Sequence, residues 1–299
     1  MINGFLEMID NQGDPRVKNW LVLKSPFPTL CVCLMYLYFV KTAGPQFMKT
    51  RKPLSLKKVL IFYNIFQVTF NAYLVYEMSV SGWLNHYNYR CQPLVFSKDP
   101  LELRMINAAW WYLIIKHIDL ADTIFFVLRK KNNQITNLHL IHHCIMPFSV
   151  WFGVKLAPSG HGTFFGYINC FVHVIMYFYY VIAALGPRFQ KYLWWKKYLT
   201  TVQMIQFVLI TVHSCQLFFI DCDYPRSFLL IVIIHAILIL GLFWNFYRTT
   251  YQKTTTKNEE TKTQNRGTSK LQYCFIIENK STEDSRDGMS EENKLKKGR

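Results

Sequence analysis

The sequence predicts an all-α, polytopic membrane protein with seven transmembrane helices. Three observations carry that expectation. Half of the 299 residues are hydrophobic (51%) and few are charged (17%), and the charges gather in short segments between long apolar runs. That distribution belongs to several bilayer spans rather than one soluble core. The basic residues sit at the ends of the runs, where the positive-inside rule places them. Polar residues inside the runs recur every three or four positions, the period of one helix face. The net charge of +16 could suggest a nucleic-acid partner. Its placement points instead to the lipid bilayer, and no nucleic acid is expected.

Residues 1–26 mix polar and apolar side chains and are read as a lumenal N-terminal segment. They carry Glu7, Asp10 and Asp14 without a basic region leading into an apolar core, so no cleavable signal is expected. The transmembrane block is residues 27–248. Its first span, 27–45, is the weakest: the apolar run from Phe27 to Val40 is ended by Lys41, whereas spanning takes about 20 residues. The second runs from Val59 to about Val80. A polar loop, 81–104, follows, with Trp83, Tyr87 and Tyr89 suited to an interface. The third, Met105 to Leu128, holds Lys116, Asp119 and Asp122, each costing about 2.5–3.5 kcal/mol at mid-membrane. The fourth is Leu138 to Leu156 and the fifth Phe164 to Leu185, separated by the turn Pro158-Ser159-Gly160. The sixth is Tyr198 to Ile220 and the seventh Ser227 to Tyr247. Residues 249–299, rich in Lys, Glu, Thr and Ser, read as a disordered tail.

Seven spans put the ends on opposite sides. The loops 41–58, 129–137 and 186–197 share one side and carry thirteen Lys and Arg residues. The other side carries Arg90, Lys98, Arg104, Arg226 and three in the N-terminal segment. The C-terminus is therefore expected in the cytosol and the N-terminus in the lumen. Lys296 and Lys297 near that cytosolic end resemble a dilysine retrieval signal, which implies the endoplasmic reticulum membrane. This topology places Cys91 and Cys222 in an oxidising lumen, where a disulfide between them is expected; two free thiols are the alternative. The eight cysteines include no Cys-x-x-Cys pair, and no metal site is expected.

The most unusual stretch is His139-Leu140-Ile141-His142-His143, at the start of the fourth span. Helical spacing clusters the three imidazoles, which could hold a metal, shuttle protons or act as nucleophile. Three further stripes accompany them. The third span carries Lys116, Asp119, Asp122 and Thr123, and the fifth carries Asn169, His173 and Tyr177. The sixth carries Thr200, Gln203, Gln206 and His213. Such groups face one another or a cavity, not lipid. Their positions along the spans imply a polar chamber reached from the cytosol, with a narrow apolar tunnel beyond it. That suits a substrate with a charged head and a long alkyl tail.

These residues resemble the very-long-chain fatty acid elongases, membrane 3-ketoacyl-CoA synthases, over roughly residues 20–250. The resemblance rests on the histidine box, on Lys116-His117-Ile118-Asp119-Leu120-Ala121-Asp122-Thr123, on Asn169 with His173 to Tyr177, and on Thr200-x-x-Gln203-x-x-Gln206. The family usually has Glu at the position of Asp119. The resemblance implies seven helices with six forming a barrel around a narrow acyl tunnel. It implies condensation of a long-chain acyl-CoA with malonyl-CoA to a 3-ketoacyl-CoA, releasing CO2 and CoA, with no cofactor beyond the substrates. The implied nucleophile is His142, forming an acyl-imidazole, with His139 and His143 orienting it or exchanging protons. His173, Asn169, Gln203 and Gln206 are candidate oxyanion donors, and Tyr177 lies on the same face. Lys116 with Asp119 or Asp122 is either a structural ion pair or part of the chemistry. Implied partners are the reductases and dehydratase of the elongation cycle, and a second copy of the chain. Two readings compete: a di-iron desaturase or hydroxylase, which needs more histidine boxes than this chain has, and a non-enzymatic lipid carrier.

Overall fold

The computed structural model describes residues 2–252, and they contain helices and no strand. The dilysine motif lies outside the described residues. Ten α-helices follow one another: α1 (Ile2–Gln12), α2 (Phe27–Tyr38), α3 (Gly44–Met48), α4 (Lys57–Met78), α5 (Pro100–Ile118), α6 (Ala121–Leu128), α7 (Asn137–Leu156), α8 (Thr163–Leu185), α9 (Lys196–Cys215) and α10 (Arg226–Tyr247). Five stretches are long and apolar enough to cross a membrane: Phe27–Met48, Lys57–Trp83, Thr163–Leu185, Lys196–Phe218 and Arg226–Tyr251. The chain is a multi-pass membrane protein.

Five is fewer than the seven expected from the sequence, and the reason is chemical. The third and fourth expected spans correspond to α5–α6 and α7. These carry the charged and imidazole side chains, which lower their apolarity. The third is also not one helix: it breaks at Asp119 and Leu120. The first expected span, conversely, is longer than its apolar run. A π-helical turn, Phe39–Ala43, carries the chain past Lys41 into α3, giving 22 residues.

The packing follows the polar faces. α4 lies along α8 and against α5; α5 and α2 flank α7; α8 also packs on α9, and α3 on α6. Side chains of α9 and α10 share an apolar cluster that includes Phe207, Ile210, Leu229 and Val232. α7 and α8 are joined by six residues only, 157–162, yet each packs chiefly on other helices.

The N-terminal segment is built into the bundle. Val17 and Leu23 are fully buried. The indoles of Trp110 and Trp151 donate to the carbonyls of Leu21 and Val22 at 3.0 and 2.8 Å. Lys155, at the end of α7 and 1% exposed, pairs with Asp10 at 2.6 Å. An unpaired ammonium there would be costly, so Asp10 holds the segment in place. Nearby, a disulfide joins Cys91, ahead of α5, to Cys222, ahead of α10.

Candidate active site

The centre of the site is the break between α5 and α6. Asp119 ends α5 and is 3% exposed, so its carboxylate must find partners inside. It accepts from Lys116 Nζ at 2.8 Å, from Gln67 Nε2 at 2.8 Å and from the Tyr177 hydroxyl at 3.2 Å. Asp122, one turn on, meets the same hydroxyl at 2.8 Å. Tyr177 has one hydrogen and faces two carboxyl groups, so the cluster is fully satisfied when one of them carries a proton. Although shorter than glutamate by a methylene, Asp119 reaches three helices' worth of partners.

Lys116 sets the state of His173. Its Nζ lies 3.3 Å from His173 Nδ1. An ammonium can only donate, so Nδ1 is the acceptor and a neutral His173 carries its hydrogen on Nε2. That makes Nε2 a donor. Four residues earlier on α8, Asn169 accepts from Tyr112 at 2.9 Å and donates to Gln206 at 3.4 Å, linking α5, α8 and α9.

The histidine box starts α7. Thr136 caps the helix through the His139 backbone N–H. The rings of His139 and His143 lie 4.2 Å apart, and those of His142 and His143 5.4 Å apart in an edge-to-face pose. His139 Nε2 meets the Thr123 hydroxyl at 2.8 Å, and Thr123 meets the Tyr36 hydroxyl at 2.8 Å. The three imidazoles are half-buried, so the box is lined by protein yet reachable. Pro147, one turn along, supplies no N–H for the His143 carbonyl four residues back.

The structure thus gathers Lys116, Asp119, Asp122, His173 and Tyr177 into one network, and Asn169 with Gln206 into a second beside it. Gln203 stands apart: its amide donates to Met176 Sδ at 3.2 Å, so it joins neither. Cys144 packs among Val40, Leu120 and Leu140. His213 stacks between His161 and Phe164, with ring centroids 3.9 Å from each. Three residues escaped the sequence reading: Tyr63, Gln67 and Asn71, spaced by four on α4. Gln67 donates to both Tyr63 and Asp119, and Asn71 buttresses Gln67. Their even spacing was the available signal. Among the described residues, no group of three or more His, Cys, Asp and Glu converges as metal ligands.

Helices of this apolarity enclosing imidazoles, carboxylates and amides define a membrane protein built around an internal polar centre. Comparison with known proteins supplies the family. The model of the GNS1/SUR4 family (ELO) matches residues 21–259. The chain is 55% identical over 254 residues to a very long chain fatty acid elongase of Aedes aegypti, covering 85% of this chain and 71% of that one. It is 52% identical over 252 residues to very long chain fatty acid elongase 7 of Drosophila melanogaster, covering 84% and 77%. It is 43% identical over 259 residues to very long chain fatty acid elongase 1 of Mus musculus, covering 85% and 91%. The chain belongs to the GNS1/SUR4 (ELO) family, and it is an enzyme of fatty acid elongation.

Proposed function

We propose that the protein is the condensing enzyme of elongation, a 3-ketoacyl-CoA synthase acting on long-chain acyl-CoA and malonyl-CoA. The observations that carry this reading are the family match, the histidine box on α7, and a second imidazole on α8, His173, whose Nδ1 faces the buried ammonium of Lys116 at 3.3 Å. The chemistry is redox-neutral and uses no cofactor beyond the substrates. His142, as a neutral imidazole, attacks the thioester carbon; the C–N bond forms, the C–S bond breaks, and CoA leaves as the thiol. Malonyl-CoA then loses CO2. The resulting enolate attacks the acyl carbon; the C–C bond forms, the C–N bond breaks, and the departing imidazole takes up one proton from solvent and is regenerated. The product is longer by two carbons.

Each step develops negative charge on an oxygen, which needs a preorganised donor. His173 Nε2–H supplies one, held by Lys116, and Asn169 with Gln206 stands beside it. His139, fixed by Thr123, packs against His143 and orders the box. Seven membrane helices, six of them ringed around an acyl tunnel, are supported by the packing of α7 on α5, α5 on α4, α4 on α8 and α8 on α9. The hydrogen bond between Ser149 of α7 and His235 of α10 supports closure of that ring. The basic loops support an endoplasmic-reticulum topology with a cytosolic C-terminus. The product would pass to the cycle's reductases and dehydratase.

The test is mass spectrometry after incubation with acyl-CoA alone. An acyl adduct on His142 is expected, absent in His142→Ala. Full condensation by His142→Ala would remove the acyl-imidazole route. Iron bound in stoichiometric amount, with oxygen consumption on acyl-CoA, would favour the desaturase reading instead.

A further inference from the structure

Beside the polar networks, toward the 157–162 turn, lies a cavity of about 60 Å³. Tyr112 forms the wall nearest the networks, and its hydroxyl holds Asn169. At the other end Phe228 sits on two glycines: a Cβ at Gly153 or Gly162 would lie 3.1 or 2.8 Å from its ring. The walls between are apolar, with Met78, Val150, Phe165 and Val232. Three polar side chains interrupt them: Thr163, whose hydroxyl is held by Trp83 and the Gly160 carbonyl, and the pair Ser149 and His235. Ser149 Oγ and His235 Nδ1 lie 3.0 Å apart, and both residues line the cavity. His235 is 6% exposed, and its Nε2 has no partner.

A structural tie between α7 and α10 would need only Nδ1. The second nitrogen is left bare at a cost of about 1–3 kcal/mol, which a shorter polar side chain would avoid. When Ser149 donates to Nδ1, Nε2 carries the hydrogen and meets whatever occupies the cavity. Depth says what that is. Ser149 follows His142 by seven residues on α7, two turns along the same face, or about 10 Å. An extended alkyl chain of about 1.5 Å tetrahedral bonds advances about 1.25 Å per bond, so an acyl chain running from His142 alongside α7 would meet the pair after about eight bonds.

Resting on the acyl-imidazole reading above, we propose that Ser149 and His235 select acyl chains carrying a cis double bond at about carbons eight to ten. The π-face of such a bond accepts an N–H weakly, whereas a saturated chain offers nothing. Selection depends only on the difference between two chains, so it holds whatever filled the cavity beforehand.

The test uses the purified full-length protein with malonyl-CoA and three acyl-CoAs of equal length. One is saturated, one has a cis bond at about carbon nine, and one has the bond moved several carbons toward the methyl end. The first unsaturated chain is expected to show kcat/KM roughly two- to fivefold above the others. His235→Leu and Ser149→Ala should bring the ratio to about unity while still elongating the saturated chain. An absent preference in the wild type, or one unchanged in either variant, overturns the proposal. So does a chain hydroxylated at that carbon being preferred while the alkene is not. Thermal stabilisation by each acyl-CoA alone gives the same ordering without condensation. If no acyl-CoA is condensed, the function proposed above fails, and the stabilisation ordering still decides for or against this pair.

Discussion

The Nζ atom of Lys116 lies 2.8 Å from Asp119 Oδ2 and 3.3 Å from His173 Nδ1, so one buried ammonium touches both the carboxylate at the helix break and the imidazole of α8. Lys116→Met should strand Asp119, costing about 3–5 kcal/mol of stability, and free the His173 tautomer. Turnover should fall by about 10²-fold or more. In the double variant K116M/D119N most of the stability should return, measured by thermal unfolding in detergent, while condensation stays low. Near-wild-type condensation in the double variant would reduce Lys116 to a structural role.

Asp119→Asn keeps the volume but loses the charge opposite Lys116. It also places an amide N–H₂ either where both Gln67 and Tyr177 donate or where Lys116 does. Condensation is expected to drop at least about tenfold. Undiminished turnover would show that the network needs only a polar group at this position.

Thr123 stands between Tyr36 and His139. Tyr36→Phe removes one hydrogen bond and should cost about 0.5–1.5 kcal/mol, with activity within a few-fold of wild type. Thr123→Val leaves both neighbours unpartnered and should cost about 1–3 kcal/mol, with the larger loss of activity. The reverse order would mean that His139 is not positioned through Thr123.

His161 lies in the turn between α7 and α8, fully buried against His213. Burial pushes its pKa below the ordinary imidazole value, partly opposed by the hydrogen bond it donates to the His213 carbonyl. The unfolded chain therefore binds the proton more readily. Stability is complete above about pH 6.5 and falls as the pH drops below it. Unfolding midpoints should decline in acid, and His161→Gln should flatten that slope. Parallel slopes in the two proteins would place the acid sensitivity elsewhere.

Cys91 and Cys222 close a loop with a sequence separation of 131. Reduction, or the double change to serine, should destabilise the protein by about 2–4 kcal/mol. Condensation at moderate temperature should survive, since neither sulfur touches the polar networks. A lost activity with an unchanged melting point would assign the bridge to the site instead.

Much of the site was readable because membrane burial makes polar residues conspicuous. The stripes at Asn169, His173 and Tyr177, and at Lys116, Asp119 and Asp122, stood out against apolar neighbours. The stripe at Tyr63, Gln67 and Asn71 is equally regular but lies in a run judged only by its length. The break at Asp119 and Leu120 left no Gly or Pro to announce it; a buried ion pair at positions 116 and 119 accompanies it. The first span was underestimated because Lys41 looked like a stop, whereas a π turn carries the helix past it. The packing of the N-terminal segment is not legible because its anchors, Asp10 with Lys155 and the two indoles, lie far away in sequence.

The pairing of Asp10 with Lys155 has a practical corollary. Shortened versions starting at the first apolar run would strip Lys155 of Asp10, of the Leu23 carbonyl and of the segment that covers it, and the indoles of Trp110 and Trp151 of their acceptors. Loss of catalysis in such truncations would then report misassembly rather than chemistry.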